Sequence, residues 1–184
     1  MKIFENVLPE KSAEIPKARK DQILTPYMPW HFNEESVSYK KGVEDKIFQF
    51  TYTIVAHGGQ INVNNMAYIT LLSEICKSVG VVNPIIIRAK FNLLPRQPYT
   101  EEDLNNTIHT DEKEDINSKL KSIIYYPHDS DGDTVIYGKD GAVMNITPKA
   151  NTAVMFNSQL QHRATPPTKN KRRVVLNIVY YTEE

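Results

Sequence analysis

The spacing of apolar residues changes part-way along this chain. Over residues 66–80 (MAYITLLSEICKSVG) they recur every three to four positions, which predicts an amphipathic helix capped by Asn64 or Asn65 and stopped by Gly80. A shorter amphipathic helix is expected over residues 10–24. Elsewhere β-branched and aromatic residues dominate and the pattern is that of strands. Residues 46–56 (KIFQFTYTIVA) predict one strand before the helix, and Pro84 opens a long one, IIIRAKFNLL. Beyond it no helix is expected. The segments NNTIHT, LKSIIYY, TVIY, AVMNIT, TAVMF, LQHRAT and RRVVLNIVYY follow as short strands, separated by turns at HDSDGD, GKDG, TPKAN and TPPTKNK. TPYMPWHFN, with its prolines and aromatics, reads as a packed loop. Helices first and strands later imply an α+β domain, mainly β, built as a sandwich or barrel. With no repeat or low-complexity tract, residues 1–184 are read as a single domain.

Composition narrows the function classes. The 184 residues carry 22 basic and 22 acidic side chains, a formal net charge of zero, so the broad positive footprint of a non-specific nucleic-acid binder is missing. The basic run KNKRR, at 169–173, reads as a solvated turn. One cysteine, Cys76, excludes a disulfide framework and a cysteine-rich zinc site, and its helix-like spacing marks it as a buried structural thiol. No apolar run approaches the ~20 residues of a membrane span. Glu and Lys interrupt the apolar residues of MKIFENVLPEKSAEIPK, which is therefore no signal peptide, and a cytoplasmic location is expected.

The candidate chemistry lies in Ile108-His109-Thr110-Asp111. In an extended chain, residues two apart share a face, so His109 and Asp111 can aim at one point from the end of a strand. His162 comes much later, in LQHRAT. Two imidazoles and a carboxylate match the facial triad of non-haem Fe(II) oxygenases, which leaves metal positions open for a chelating co-substrate and O₂. After His162 comes arginine in a β-type strand, Arg172-Arg173-Val174-Val175. A guanidinium grips a carboxylate through two parallel hydrogen bonds, as a dicarboxylate co-substrate requires at the end remote from the metal.

The ordered set His109-x-Asp111, the strand ending IIYY, the GDT turn, the TPKANTAVMF strand, His162 and RRVVLNIVYY resembles the Fe(II)/2-oxoglutarate oxygenase superfamily, in the style of its prolyl-4-hydroxylase-like and small phage-type members. The resemblance spans roughly residues 85–181 and implies a double-stranded β-helix, or jelly roll, with helices packed on one side. It implies iron ligation by His109, Asp111 and His162, a grip on the distal carboxylate of 2-oxoglutarate by Arg173, with Arg172 the neighbouring candidate, and a hydrogen bond to that carboxylate from Tyr126. It also implies Fe(II), 2-oxoglutarate and O₂ as cofactor and co-substrates, leaves room for ascorbate as reductant, and makes the chain a hydroxylase whose substrate is a peptidyl proline, an amino acid, a nucleobase or a small metabolite. Arg88, Lys90 and Asn92 lie on the preceding strand, where such enzymes place pocket residues. The sequence departs from many relatives in having Asp131-Gly132-Asp133-Thr134 where they have GG-x-T, and in its proline-containing loop between His162 and Arg173.

Other readings stay open at this level. A His₂-carboxylate set also suits a zinc hydrolase or isomerase, although no H-E-x-x-H is present. A jelly-roll binding module that keeps a metal is the non-catalytic alternative. Glu112, Glu114 and Asp115 are expected in a solvent-facing lid, and His31, His57 and His128 as structural or exposed. The spacing Asp129-x-Asp131-x-Asp133 is that of a calcium loop, but Thr134 stands where such a loop needs glycine. Neither the substrate nor the oligomeric state can be read from the sequence.

Overall fold

The structure is a computed structural model that describes residues 1–9, 28–36, 46–62, 66–111 and 119–182. The helix expected over 10–24, the caps Asn64 and Asn65, and the acidic lid residues lie outside the described residues. Among the described residues ten strands and two helices appear, in the order β1 (Lys2–Phe4), β2 (His31–Asn33), β3 (Gln49–Val55), α1 (Met66–Ser78), β4 (Ile85–Pro95), α2 (Glu101–Asn106), β5 (Leu120–Tyr126), β6 (Thr134–Tyr137), β7 (Val143–Ile146), β8 (Thr152–Asn157), β9 (His162–Ala164) and β10 (Arg172–Tyr181). Seven strands form one antiparallel sheet in the order β1-β8-β5-β10-β4-β3-β2, and three form another, β7-β6-β9.

Strand alternation divides the work of the large sheet between its faces. On one face Phe91, Ile123, Leu176 and Ile178 are buried against Leu71, Leu72 and Ile75 of α1. Each such side chain contributes roughly 2 kcal/mol by leaving water. On the other face, Ile124, Tyr126 and Val175 pack with Ile136 and Ile146 of the small sheet. Strand β10, covered on both faces, is buried from Arg173 to Tyr180, which is why RRVVLNIVYY reads as an almost continuous apolar run. Helix α1 ends as expected: Gly80 takes φ of 80° and the Val81 N–H reaches back to the Cys76 carbonyl at 2.9 Å, a Schellman closure. Burial pushes the Cys76 thiol up to about 11, which leaves it inert near neutral pH. No helix among the described residues is long and apolar enough to cross a membrane.

Two expectations need correction. The segment before His109 is not the strand NNTIHT but the helix α2 followed by a turn. Thr100 caps it reciprocally with Asp103: the Thr100 hydroxyl accepts from the Asp103 N–H at 3.1 Å and the Asp103 carboxylate accepts from the Thr100 N–H at 2.8 Å. This box, with Leu104 buried against Ile47 and Leu94, overrides the β-type character of the residues after it. The second correction is in TPYMPWHFN, whose last residues, 31–33, form the edge strand β2 rather than a loop.

Candidate metal centre

Helix α2 delivers His109. Its last turn runs into Thr107, whose hydroxyl donates to the Leu104 carbonyl at 2.8 Å, and the Thr107 carbonyl lies 2.8 Å from His109 Nδ1. His109 then pairs with His162 at the head of β9 in a single antiparallel bridge, N–H to carbonyl in both directions at 3.0 and 2.8 Å. His162 Nδ1 is 3.0 Å from the Leu160 carbonyl. A carbonyl can only accept, so each Nδ1 carries the proton and each Nε2 keeps its lone pair. The rings lie 4.4 Å apart, and the ligand atoms of His109, Asp111 and His162 are all within 4.8 Å of one another. That donor set fits a divalent transition metal bound on one face.

Asp111 is buried among donors. Arg88 Nη2 and Asn177 Nδ2 reach one carboxylate oxygen at 2.6 and 2.8 Å, and the Ser122 hydroxyl reaches the other at 2.6 Å. Burial alone would raise its pKa, but the neighbouring His162, Arg88 and His109 and the Ser122 bond together hold it well below the usual carboxylate range. Burial, reinforced by His162, pushes His109 down to about 4, so the imidazole is neutral near pH 7. The linkage has a definite sign. Between the ordinary histidine pKa near 6.5 and about 4, the unfolded chain binds a proton at His109 that the folded chain refuses. Metal-free protein should therefore lose stability as pH falls through this window, by on the order of 3 kcal/mol at most. Denaturant unfolding at a series of pH values checks this; a flat profile between pH 6.5 and 4 would refute it.

The three residues open into a cavity of about 480 Å³ between the sheets. Arg173 lines it from β10, fully buried, with Nε donating to the Gly132 carbonyl at 2.9 Å and Nη2 to the Thr134 hydroxyl at 2.5 Å. The Tyr126 hydroxyl also donates to Thr134, at 2.8 Å. Tyr126 thus stands behind Thr134 and does not itself line the cavity. Because the Thr134 oxygen accepts twice, its own proton is left to point elsewhere. Arg172, the adjacent candidate, is half-buried and is not part of the cavity wall. Arg88, Lys90 and Asn92 all line it.

Residues 98–181 match the family model of the 2OG-Fe(II) oxygenase superfamily, a stretch that runs from α2 through β10 and includes all three residues of the centre. Over this stretch, a little under half of its length, the chain is similar to the 2OG-Fe(II) oxygenase superfamily. Members of that superfamily are 2-oxoglutarate-dependent enzymes that use Fe(II), 2-oxoglutarate and O₂, and the His-Asp-His set found here suits iron. Solved structures share the chain's jelly-roll fold. A prolyl-4-hydroxylase of Pseudomonas putida aligns with a TM-score of 0.60 at 17% identity, covering 99% of this chain and 92% of that one. A prolyl hydroxylase of Trichoplax adhaerens, solved with a peptide fragment of the hypoxia inducible factor oxygen degradation domain, gives 0.66 at 15%, covering 99% and 83%. HygX of Streptomyces hygroscopicus, solved with nickel and 2-oxoglutarate, gives 0.64 at 10%, covering 98% and 82%. No curated protein sequence matches the chain.

Four residues around the centre escape sequence reasoning: Ser122 and Asn177, which hold Asp111; Arg88 in its role as the ion-pair partner of Asp111; and Thr134. Each is distinguishable in the sequence only as a polar residue on the inward face of an apolar strand. The calcium-like spacing dissolves, because its carboxylates serve three different segments. Asp129 accepts from the Ala150 N–H, Asp131 from the N–H groups of residues 168–170, and Asp133 from the Thr147 hydroxyl. The middle contact ties the GDT turn to the loop leading into Arg173. Gly132 is required there: a Cβ would sit on the Thr165 carbonyl oxygen and 3.0 Å from Arg173 Cδ. Gly132→Ala should lower stability by about 1–3 kcal/mol and displace Arg173. Thermal unfolding and a 2-oxoglutarate titration check this; unchanged values in both would contradict it.

Proposed function

We propose that this protein is an oxygenase that holds Fe(II) through His109, Asp111 and His162 and couples oxidative decarboxylation of 2-oxoglutarate to hydroxylation of a substrate admitted to the same cavity. The observation that carries this reading is the convergence of the three ligand atoms within 4.8 Å, on a cavity that also contains the buried guanidinium of Arg173. Arg173 and Asn177 share the inward face of β10 four positions apart, roughly 13 Å of strand. Asn177 touches Asp111, so the interval leaves room for a five-carbon diacid between guanidinium and metal.

Each side chain then has a physical task. The carbonyls of Thr107 and Leu160 fix the two imidazole rings with Nε2 towards the centre. Arg88, Asn177 and Ser122 keep Asp111 ionised and oriented. Arg173 and the free proton of Thr134 receive the distal carboxylate, with Tyr126 holding Thr134 in place. Ile124 and Val175 line the cavity with hydrocarbon and limit water. Bound iron supplies the O₂ activation that these side chains cannot. Anaerobic addition of Fe(II) and 2-oxoglutarate should produce a weak visible charge-transfer band, and admission of O₂ should yield succinate. Metal-loaded protein that shows neither is not an oxygenase of this kind.

A further inference from the structure

Four cations line the cavity among the described residues, and three have partners. Arg88 is paired with Asp111, Arg163 donates to Asn105 and Glu101, and Arg173 is bound to Gly132 and Thr134. Lys90 makes no hydrogen bond and no ion pair with any described residue. One neighbour is similarly unspent. Asn92, two positions on along β4, also makes no side-chain hydrogen bond with any described residue, and its buried Oδ1 has no partner among them. Thr53 and Thr51 stand directly across on β3, in register with Lys90 and Asn92, and the Thr51 hydroxyl accepts from Asn33 Nδ2 at 2.9 Å. The β3–β4 wall therefore presents an ammonium, an amide and hydroxyls to the cavity, and the Lys90 ammonium is in ion-pair contact with none of the carboxylates that line it, Glu34, Glu35 and Asp111. This wall is separate from the β10 position of Arg173, which is in register with Leu94.

Burial makes an unpaired ammonium costly, and the cost is usually avoided by pairing or loss of the charge. Here burial, with Arg88 adding to it, lowers Lys90 to about 8, so it stays mostly protonated near pH 7.

We propose that the wall formed by Lys90, Asn92 and Thr53 recognises an anionic group of the primary substrate, which is thus a small carboxylate-bearing molecule rather than an internal residue of a peptide. This rests on the 2-oxoglutarate oxygenase reading above. An internal proline or other neutral residue of a peptide has only amides to offer this wall, whereas a free carboxylate gains a charge-assisted bond in a water-poor site.

The test uses protein saturated with Mn(II) and 2-oxoglutarate under anaerobic conditions, so that Arg173 is already engaged. Acetate and the free amino acids, each beside its amide, are titrated while Mn(II)-induced relaxation of the added compound is followed. At least one acid should bind tenfold or more tightly than its amide. Lys90→Met should erase that preference and Lys90→Arg should restore part of it, with the 2-oxoglutarate affinity of both variants within about threefold of the parent's (1.4 kcal/mol being tenfold). If no acid outbinds its amide, or if peptide amides bind equally well, the proposal fails. If Lys90→Met loses 2-oxoglutarate itself, Lys90 belongs to the co-substrate and the proposal also fails. Failure of the parent protein to take up Mn(II) and 2-oxoglutarate would instead bring down the underlying reading.

Discussion

Asp111→Ala should remove both the metal and much of the stability, whereas His109→Ala should remove the metal with far less effect on folding. The asymmetry follows from what each side chain leaves behind. Loss of the Asp111 carboxylate strands Arg88, Asn177 and Ser122, all directed at it from β4, β10 and β5. Breaking a buried ion pair from one side costs about 3–5 kcal/mol, because the remaining charge has no water to replace its partner. Loss of the His109 imidazole frees one backbone carbonyl, that of Thr107, at the edge of a cavity. Metal analysis, succinate release and denaturant unfolding on the two variants separate the effects. Iron at full stoichiometry in Asp111→Ala, or equal destabilisation by both changes, would overturn the account.

The second large effect is expected at Arg173. Replacement by methionine, which keeps much of the buried volume, should weaken 2-oxoglutarate binding by about 100-fold, since a desolvated charged hydrogen-bond partner is worth roughly 2–5 kcal/mol. Iron affinity should be nearly unchanged, because Arg173 touches none of the three metal candidates. Tyr126→Phe should act more weakly, about tenfold or less, as its hydroxyl works through Thr134. Arg172→Met is the control. That residue sits next door on the alternate face of β10, outside the cavity wall, and its loss should leave the co-substrate affinity intact. An Arg172 variant more damaging than the Arg173 variant would reverse the assignment.

Several features of the centre could be read locally, and others could not. The H-x-D spacing, the later histidine and the following arginine were visible because each belongs to a short run with its own periodicity. The reason proposed for H-x-D was nevertheless wrong in part. His109 and Asp111 converge not from a strand but from a turn after α2, where His109 makes a single bridge to His162 and the Asp111 N–H bonds the Ser158 carbonyl at 3.1 Å. Helix α2 carries its capping box in Thr100 and Asp103, but six residues are too few for a 3.6-residue period to declare itself.

Taken alone, the amino-acid order determined the elements: α1 with its glycine stop, the long β4 and β10, and the series of short strands between them. It did so because burial on one face imposes a period, and a period is a property of neighbours along the chain. What only the folded molecule decided is which inward-facing polar residues meet. Arg88, Ser122 and Asn177 come from three strands, and cross-strand register alone brings them to Asp111. Register likewise sets Lys90 opposite Thr53 and leaves it without an ion-pair contact among the described residues. Pairing of this kind depends on strand order in a sheet, which no local spacing encodes.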